Sequence, residues 1–405
     1  MKHISRTRVY SWSGARSIAS SLMLTFVLLP SILGADADIY LPVASTINGR
    51  PIRLTLDTAS GADFILSSRA AQKLGLKTTP PNLSAKLAVG EVPFSHTEPC
   101  DLTLTIFRFH APGIVLPVVD LPFPDDANIA GFIGWTILRQ YAFELRLAEK
   151  RIDVGIRVPP DLQRWTKLRV LDDSPILALE MDGGNGRSGR IVIDTGNYQG
   201  LILSPERWKR WEAENPNRPS TFTGYYQAAS GWVVMEESWA PSYRLGNLTL
   251  HDVPVRMANR FEAAGPGIEA FLGLAALRRL YLIVDGPHRT AYIESETQPA
   301  SPYTQQNRLG AVFLPGGSNG DGLLVAQVGK GTPAARAGIF TGDRLLEYDK
   351  INARNWRSKK EIFPLGGFAE PAGTEHSFVL RRGDRILNIS VKLEDILGPS
   401  AISRT

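Results

Sequence analysis

The chain has 405 residues, of which 43% are hydrophobic, so it can form two or three domains with apolar cores. Its formal net charge is +5. Of this, +3 belongs to the first 37 residues, where four basic residues stand against one acidic residue: Lys2, Arg6, Arg8 and Arg16 against Asp36. The remaining +2 gives little support to nucleic-acid binding, and no stripe of interleaved aromatic and basic residues is present. The 28 prolines and 37 glycines, with little long helical periodicity, favour a β-rich fold.

The N-terminus has the pattern of an export signal. A basic start precedes an apolar run over residues 22–33, and Ala35-Asp36-Ala37 has the small-x-small pattern of a signal-peptidase site. We therefore expect an exported protein, either in a bacterial periplasm or secreted. An uncleaved leader that anchors the chain in the inner membrane is the alternative, although the run is short and contains Pro30. The single cysteine, Cys100, excludes an intramolecular disulfide, so the fold must depend on its core.

Two apolar strands are predicted to end on an aspartate, and they share a sequence frame. Residues 52–60 have the sequence Ile-Arg-Leu-Thr-Leu-Asp-Thr-Ala-Ser, and residues 189–197 have Gly-Arg-Ile-Val-Ile-Asp-Thr-Gly-Asn. A charged group is seldom buried without a partner. The two carboxylates in this repeated frame, Asp57 and Asp194, are therefore predicted to meet.

The repeat continues along the chain in the same order. Before the first aspartate, Asn48-Gly49 predicts a two-residue hairpin turn. After each aspartate a strand leads into a capped helix, which is predicted to begin at Ser67 in the first repeat and at Ser204-Pro205 in the second. Each repeat closes on two apolar residues and a glycine, Phe132-Ile133-Gly134 and Phe271-Leu272-Gly273. The separations from aspartate to glycine are 77 and 79 residues (134 minus 57; 273 minus 194), so the repeat indicates a duplicated lobe.

These motifs resemble the aspartic peptidases, in particular bacterial retropepsin-like proteins with two fused lobes. The resemblance implies a mainly β, bilobal fold of two retropepsin-like β-barrel lobes, with one aspartate from each lobe in a shared site. Carried over residue by residue, it makes Asp57 and Asp194 the catalytic pair and makes Thr58 and Thr195 the bracing hydroxyls. The remaining residues of the two turns support the site: Ala59, Ser60, Gly196 and Asn197.

The chemistry that this resemblance implies needs both aspartates. Two carboxyls about 3 Å apart share one proton, because both cannot ionise cheaply. The ionised member accepts a proton from water while the protonated member polarises the scissile carbonyl, and no covalent enzyme intermediate forms. The predicted function is an exported aspartic endopeptidase that acts on peptide or protein substrates and uses no cofactor.

Two residues depart from the family pattern and leave alternatives open. Ala59 stands where glycine is usual, and Asn197 replaces the usual Ser, Thr or Ala. If position 59 requires a positive φ, alanine costs about 1 kcal/mol there, whereas at a negative φ the exchange is nearly harmless. A non-catalytic protein that binds peptides is the alternative function. A further alternative makes each lobe half of an intermolecular dimer, whereas two fused lobes predict a monomer with pseudo-twofold symmetry.

Hairpins that cover a substrate cleft are typical of the family. Two glycine-containing segments lie at the corresponding distances after the two aspartates, residues 86–96 and residues 224–232. We expect these segments to be the flaps. A surface loop that packs its own aromatic residues is the alternative interpretation.

The C-terminal part of the chain resembles a PDZ domain. The string from Gly331 to Gly338, Gly-Thr-Pro-Ala-Ala-Arg-Ala-Gly, is expected to form a short helix that Thr332 caps, Pro333 begins and Gly338 ends. PDZ domains bind an extended peptide by strand addition and hold its C-terminal carboxylate on backbone N–H groups. The matching peptide-binding loop is predicted at Leu309, Gly310, Ala311, Val312 and Phe313. A spacer domain without a ligand is the alternative.

The predicted organisation is a signal peptide over residues 1–37, a first lobe over 38–158, a second lobe over 159–298, a PDZ domain over 308–395 and a tail over 396–405. Polar, proline-bearing joints near residues 157–165 and over residues 294–308 mark the divisions. Metal binding is not predicted, because the histidines lack the spacing of metal ligands. No glycine-rich loop of the phosphate-binding kind is present in the sequence.

Overall fold

The computed structural model describes residues 23–24, 41–80, 83–87, 90–120, 128–182, 188–227, 231–246, 248–258, 267–296, 303, 306–315, 323–358 and 368–398. Strands dominate these ranges and form three sheets. Apart from Met23–Leu24, the predicted signal peptide lies outside the described residues, as does most of the predicted tail. Within the described ranges no helix is both long enough and apolar enough to cross a membrane.

The first sheet has ten strands in the order β1-β5-β6-β9-β4-β10-β3-β2-β7-β8. Their bounds are β1 Met23–Leu24, β2 Val43–Ile47, β3 Arg50–Asp57, β4 Phe64–Ser67, β5 Leu83–Leu87, β6 Gly90–His96, β7 Cys100–Leu104, β8 Phe109–Ile114, β9 Pro117–Val119 and β10 Gly131–Gly134. Two short helices, α1 Ser68–Lys73 and α2 Trp135–Leu138, follow β4 and β10. Between β2 and β3 the chain turns at Asn48 and Gly49, whose φ angles of 50° and 74° are those of a two-residue hairpin turn.

The second sheet has twelve strands in the order β12-β11-β21-β22-β13-β14-β15-β20-β16-β19-β18-β17. Their bounds are β11 Ala142–Arg146, β12 Arg151–Val154, β13 Thr166–Val170, β14 Ala178–Asp182, β15 Ser188–Ile193, β16 Leu201–Leu203, β17 Ser220–Gln227, β18 Gly231–Leu245, β19 Leu248–Met257, β20 Ile268–Leu272, β21 Leu280–Asp285 and β22 Thr290–Ser295. The helices here are α3 Pro205–Glu214 and α4 Leu274–Leu277, with a 3-10 turn at Leu147–Glu149.

Both lobes place the strand that leads to the aspartate between equivalent neighbours. In the first lobe β3 pairs in parallel with β10, which pairs antiparallel with β4. In the second lobe β15 pairs in parallel with β20, which pairs antiparallel with β16. The strands β9 and β19 then run parallel to β4 and β16. The duplicated sequence therefore builds a duplicated topology around the two aspartates.

An antiparallel strand pair forms part of the contact between the lobes. Although β11 and β12 fall within residues 38–158, they belong to the second sheet, where β11 pairs with β21. Glu144 faces Ile283 in this ladder, and Arg146 faces Tyr281. The two closing glycines, which are equivalent in the two lobes, are 139 residues apart (273 minus 134). Glu144 and Ile283 have the same separation, so they are equivalent residues. A pseudo-twofold axis therefore passes between these two strands, and a single apolar core continues across them.

The third sheet belongs to the C-terminal module and has six strands: β23 Ala311–Pro315, β24 Leu324–Val328, β25 Arg344–Tyr348, β26 Ile351–Asn352, β27 Glu375–Arg382 and β28 Arg385–Lys392. A helix α5, Pro333–Arg336, begins after the N-cap Thr332, and Gly338 has a φ of 92°, as the sequence predicts. The module has its own apolar core, in which Phe313 stacks on Phe378 with ring centroids 5.6 Å apart.

The end of the predicted joint over residues 294–308 is buried rather than solvated. Gln306 and Asn307 are each 2% exposed. Gln306 donates to the backbone oxygen of Leu397 at 2.7 Å, and Arg308 donates to Asp395 at 2.6 Å. These polar side chains find partners at the other end of the module, which explains why a polar segment can lie inside the fold.

Candidate active site

The closing glycines allow each aspartate turn to lie against a strand. Gly134 is the register partner of Asp57, and a Cβ on Gly134 would lie 1.8 Å from the backbone oxygen of Ala62. In the second lobe a Cβ on Gly273 would lie 2.4 Å from the backbone oxygen of Gln199. Any larger residue at either position would push the strand away from the turn. The repeated apolar-apolar-glycine motif is therefore a packing requirement of the site.

Two threonines join the turns of the two lobes. The backbone N–H of Thr58 donates to Thr195 Oγ1 at 3.1 Å, and the backbone N–H of Thr195 donates to Thr58 Oγ1 at 3.1 Å. Each hydroxyl in turn donates across the junction, Thr58 to the oxygen of Ile193 at 2.6 Å and Thr195 to the oxygen of Leu56 at 3.0 Å. The predicted bracing hydroxyls thus form a symmetric network within one chain, which brings the two aspartate turns together.

The two carboxyls lie at this junction and are buried. Asp57 is 3% exposed and Asp194 is 2% exposed. Asp57 Oδ1 accepts from the backbone N–H of Ala59 at 3.0 Å, and Asp194 Oδ1 accepts from that of Gly196 at 3.1 Å. A Cβ on Gly196 would lie 2.7 Å from Asp57 Cγ, so the first carboxyl rests directly over the second turn. Only glycine fits at this contact.

Burial changes the ionisation of both carboxyls. Loss of solvent raises the pKa of Asp57 well above its usual value, and the charge of Asp194 raises it further. Loss of solvent also raises the pKa of Asp194, to about 7. Three groups lower this pKa in part: the backbone N–H of Gly196, the amide of Asn197 and the charge of Arg256. The pair therefore keeps a proton at a pH where exposed aspartates have lost theirs, as two carboxyls that share one proton require.

The two departures from the family pattern preserve this geometry. Ala59 does not have a positive φ, so its side chain causes no backbone strain, and it packs in an apolar cluster with Ile176 and Phe271 of the second lobe. Ser60 Oγ accepts from the backbone N–H two residues on, at 3.2 Å, and Asn197 Oδ1 accepts from the equivalent N–H of Gln199, at 3.0 Å. Asparagine at position 197 therefore performs the same local role as serine at position 60.

The structure adds three polar residues that sequence analysis missed. Arg256 and Glu237 are each 3% exposed, and Tyr303 is 8% exposed. Glu237 and Arg256 face each other across β18 and β19, and the Tyr303 hydroxyl donates to Glu237 at 2.6 Å. The local sequence carries little signal, since Arg256 only follows the apolar run Val253-Pro254-Val255 and Glu237 follows another glutamate. The pairing of residues 237 and 256 becomes visible only from the strand register.

The two predicted flap segments form hairpins. In the first lobe β5 pairs with β6, and in the second lobe β17 pairs with β18. The tips at residues 88–89 and 228–230 lie outside the described residues. A covering role for these hairpins stays a prediction.

The predicted peptide-binding loop of the C-terminal module is buried, and part of it already has a hydrogen-bond partner. Leu309 and Val312 are fully buried, and Phe313 is nearly so. The backbone N–H groups of Leu309 and Gly310 donate to Asn307 Oδ1, at 3.0 and 3.2 Å. The carboxylate position that sequence analysis predicted for a peptide is thus adjacent to an amide oxygen of the chain itself.

Among the described residues, no group of three or more His, Cys, Asp or Glu side chains is arranged to hold a metal ion. Cys100 is buried with a free thiol.

Comparison with known families agrees with this architecture. Residues 43–137 match the model of a family described as aspartyl protease, and residues 324–365 match that of a PDZ domain. No curated protein matches the sequence significantly. The family matches, together with the β-rich structure, confirm the predicted architecture of a bilobal aspartyl-protease fold followed by a PDZ domain. The first match lies within the first lobe, and the second lobe repeats its strand arrangement.

Proposed function

We propose that the protein is an exported endopeptidase in which Asp57 and Asp194 activate a water molecule to hydrolyse a peptide bond. The observation that carries the proposal is the contact of the Asp57 carboxyl with Gly196, in a junction that Thr58 and Thr195 fasten from both sides. A pair of buried carboxyls from two lobes is the arrangement that shares a proton and acts as acid and base together.

The hydrogen bonds of the carboxyls distinguish the roles of their two oxygens. In each carboxyl, Oδ1 accepts a backbone N–H, which fixes the orientation of the group. This leaves the Oδ2 atoms for a water molecule and the shared proton. The ionised carboxyl then takes a proton from water as the oxygen attacks, and the protonated carboxyl donates to the carbonyl oxygen of the substrate. The tetrahedral diol then collapses. The carboxyl that took the proton from water gives it to the leaving nitrogen, the C–N bond breaks, and a hydroxyl of the diol returns a proton to the other carboxylate.

Replacement of either aspartate by asparagine tests the proposal. Asp57→Asn and Asp194→Asn each keep the shape of the side chain but remove the shared proton, so we expect casein and peptide cleavage to fall at least about 10²-fold from acid to neutral pH. Asp63→Asn, at an exposed carboxylate in the same lobe, is the matched control and should keep full activity. Cleavage that persists in either active-site variant would assign the activity to another group.

A non-catalytic protein that binds peptides is the competing function. The local geometry disfavours it, because Ala59 and Asn197 leave the turns unstrained. Pepstatin, which mimics the hydrated amide, separates the two functions. A catalytic pair predicts proteolysis that pepstatin inhibits, whereas a binding protein predicts pepstatin or peptide binding without any cleavage.

Export is proposed from the leader sequence alone. The basic start, the apolar run and Ala35-Asp36-Ala37 support cleavage near residue 37. N-terminal sequencing of the mature chain from a bacterial host, after separation of periplasm and membranes, tests this. A mature chain that begins near Asp38 in the periplasm is expected. An intact leader in the membrane fraction would favour the anchored form.

A further inference from the structure

The second lobe buries a cation beside its aspartate turn. Arg256 is 3% exposed, and its Nε and Nη1 atoms have no hydrogen-bond partner. Burial of a guanidinium is expensive unless a negative charge compensates for it. Glu237 faces it across the strand pair, and the Glu237 carboxylate also receives the hydroxyl of Tyr303. An arginine in such a position requires a reason beyond packing.

The strand β19 directs this arginine toward the turn that carries Asp194. Pro254 packs against Gly200, where an added Cβ would lie 2.5 Å from Pro254 Cγ. Alternate residues of a strand share a face, so Arg256 has the same direction as Pro254. In the parallel ladder with β16 its register partner is Ile202, eight residues after Asp194. Its charge reaches Asp194 and lowers the pKa of that carboxyl.

We infer that Arg256 is a positioning residue that keeps the negative charge of the pair on Asp194, so that Asp57 carries the shared proton. Among the described residues, the charged and titratable groups around Asp194 are Asp57 from the first lobe, Tyr198 from the second turn, Arg256 from β19, Glu237 from β18 and Tyr303 from the segment before the C-terminal module. Asp194 then acts as the base toward water, and Asp57 acts as the acid toward the substrate carbonyl. This catalytic consequence rests on the proposed function, whereas the order of ionisation does not.

Carbon-13 NMR of the aspartate carboxyls in the full chain measures the order of ionisation without any turnover. Spectra of Asp57→Asn and Asp194→Asn assign the two signals. We expect Asp194 to ionise at a lower pH than Asp57 in the wild type. Arg256→Gln should move the Asp194 titration upward by about one pH unit or more, while Arg256→Lys should keep the wild-type order. Ionisation of Asp57 first, or an unchanged titration in Arg256→Gln, would overturn the inference.

Two further variants guard against a folding failure. Loss of Arg256 alone leaves the buried charge of Glu237 without a compensating positive charge. The double variant Arg256→Met, Glu237→Gln removes both buried charges and should show the same upward shift of the Asp194 titration. Glu237→Gln alone keeps Arg256 and should preserve the order of ionisation. If proteolysis is present, the acid limb of the kcat profile should move upward with the Asp194 signal while KM stays constant. If proteolysis is absent but the titrations behave as expected, the proposed function fails and this inference stands.

A second inference rests on a separate contact, between the second lobe and the C-terminal module. β17 is the edge strand of the second sheet and β23 is the edge strand of the third. Gly224 of β17 packs on the face of β23 that carries Val312 and Leu314, since a Cβ on Gly224 would be 3.3 Å from Leu314 Cδ2 and 3.6 Å from Val312 Cβ. A PDZ domain binds its peptide by adding a strand to a sheet edge, and the predicted peptide-binding loop runs directly into β23.

Asn307 fastens this contact with both ends of its amide. Its Oδ1 accepts the N–H groups of Leu309 and Gly310, where a peptide carboxylate is expected. Its Nδ2 donates to the backbone oxygens of Phe222 in β17, at 2.7 Å, and of Ala311 in β23, at 2.8 Å. The hydroxyl of Thr221 donates to the Asn307 backbone oxygen at 2.8 Å. One side chain therefore binds two N–H groups of the predicted peptide-binding loop and also bonds the hairpin of the second lobe.

We propose that a peptide with a free C-terminal carboxylate competes with Asn307 for the loop, and that its binding releases β17 from β23. Such a peptide meets N–H groups that already donate to Asn307, beside a strand whose Val312 and Leu314 side chains already pack against β17. The ligand-binding state and the state in which β17 packs on the module are then mutually exclusive, and the second-lobe hairpin responds to what the C-terminal module binds.

Binding of a peptide pool tests this competition. The probe is a pool with randomised last four residues, prepared with free and with amidated C-termini. Asn307→Ala should retain about tenfold more of the free pool than the wild type, and no more of the amidated pool, because the N–H groups of the loop become available. Thr221→Val loosens only the hairpin and should give a smaller increase. Asn388→Ala, at an exposed site on β28, is the control and should match the wild type.

Three outcomes would refute the competition. Equal retention of the free pool by Asn307→Ala and the wild type would show that Asn307 does not block the loop. Retention of the amidated pool would show that no carboxylate is recognised. Failure of both proteins to retain any peptide would make Asn307 a permanent structural brace. Hydrogen exchange of the amides in β17, faster when the free pool binds, completes the test.

Discussion

In the first lobe the residue after the turn threonine is Ala59, whereas in the second lobe Gly196 occupies that place. Neither residue has a positive φ, so backbone conformation does not explain the difference. The methyl group of Ala59 packs among apolar side chains of the second lobe, while Gly196 lies under the carboxyl of Asp57. The glycine of this motif is therefore required by contact with the opposite carboxyl. The two halves of the site share a frame but not the same surroundings.

The largest effect on activity is expected when Gly196 is replaced by alanine. Gly196→Ala places a methyl group 2.7 Å from Asp57 Cγ, so the first carboxyl must move. A displacement of about 1 Å at a reacting group lowers the rate about 10²-fold, and we expect kcat to fall by at least that factor. Ala59→Gly is the matched variant. It should keep activity within a few-fold and lower the free energy of unfolding by about 1 kcal/mol.

An equal loss of activity in Gly196→Ala and Ala59→Gly would contradict this difference between the lobes. It would mean that residue 59 also contacts the carboxyl of the opposite lobe. Single-turnover kinetics, with KM measured separately, distinguish a misplaced carboxyl from weaker substrate binding.

The next effect is the dependence of stability on pH. Burial raises the pKa of both carboxyls, so the folded protein keeps protons that the unfolded chain releases above about pH 4. The free energy of unfolding should therefore decrease as pH rises from about 4 to about 7. Asp57→Asn and Asp194→Asn should each flatten this decrease and raise the free energy of unfolding at pH 8. Urea unfolding as a function of pH measures these changes in the free energy of unfolding.

The two stability gains should differ between the lobes. Asp57 is predicted to give the larger gain, because the charge of Arg256 offsets part of the cost at Asp194. A wild-type protein whose stability rises over the same pH range would contradict the raised pKa values.

The third effect concerns the threonines, where the lobes are equivalent. Thr58→Val and Thr195→Val each remove a hydroxyl that donates to a backbone oxygen and accepts a backbone N–H of the other lobe. Each should lower the free energy of unfolding by about 2 kcal/mol, and the double variant should lose less than the sum. Serine variants keep the hydroxyl and should recover most of the loss. A large difference between Thr58→Val and Thr195→Val would break the symmetry of the junction.

The smallest effect comes from the helix caps. Ser67 accepts from the N–H of Ala70 at 3.1 Å, and Ser204 accepts from that of Arg207 at 3.3 Å. Ser67→Ala and Ser204→Ala should each cost about 1 kcal/mol, with the greater loss at the more deeply buried Ser67. Thermal unfolding of both variants, with Ser→Thr controls, measures the difference. An unchanged thermal stability in both alanine variants would contradict a capping role.

Local sequence predicted the features that local physics controls. The Asn48-Gly49 turn, the caps at Ser67 and Ser204 and the beginning of a helix at Pro333 are each determined by the conformational preference of one or two residues. The pairing of two aspartate turns could also be predicted, because duplication repeats every strand that surrounds them.

Features that depend on distant partners could not be predicted in this way. Arg256 follows an apolar strand sequence and is typical of a solvated edge, and only its register opposite Glu237 explains its burial. Asn307 lies in a polar segment that resembles a solvated joint, yet its amide has partners in β17 and β23. Side chains of this kind are specified by tertiary contacts, for which composition and periodicity carry no signal.

The antiparallel pairing of β11 with β21 has a consequence for the origin and handling of the molecule. Because Glu144 faces its own counterpart, Ile283, each half carries near its C-terminal end a strand that is complementary to a copy of itself. A one-lobed ancestor could have assembled through this strand before its gene was duplicated, and the present chain closes the same ladder internally. Separately expressed halves would carry an open, self-matching edge, so they should associate with each other or with identical copies rather than remain single.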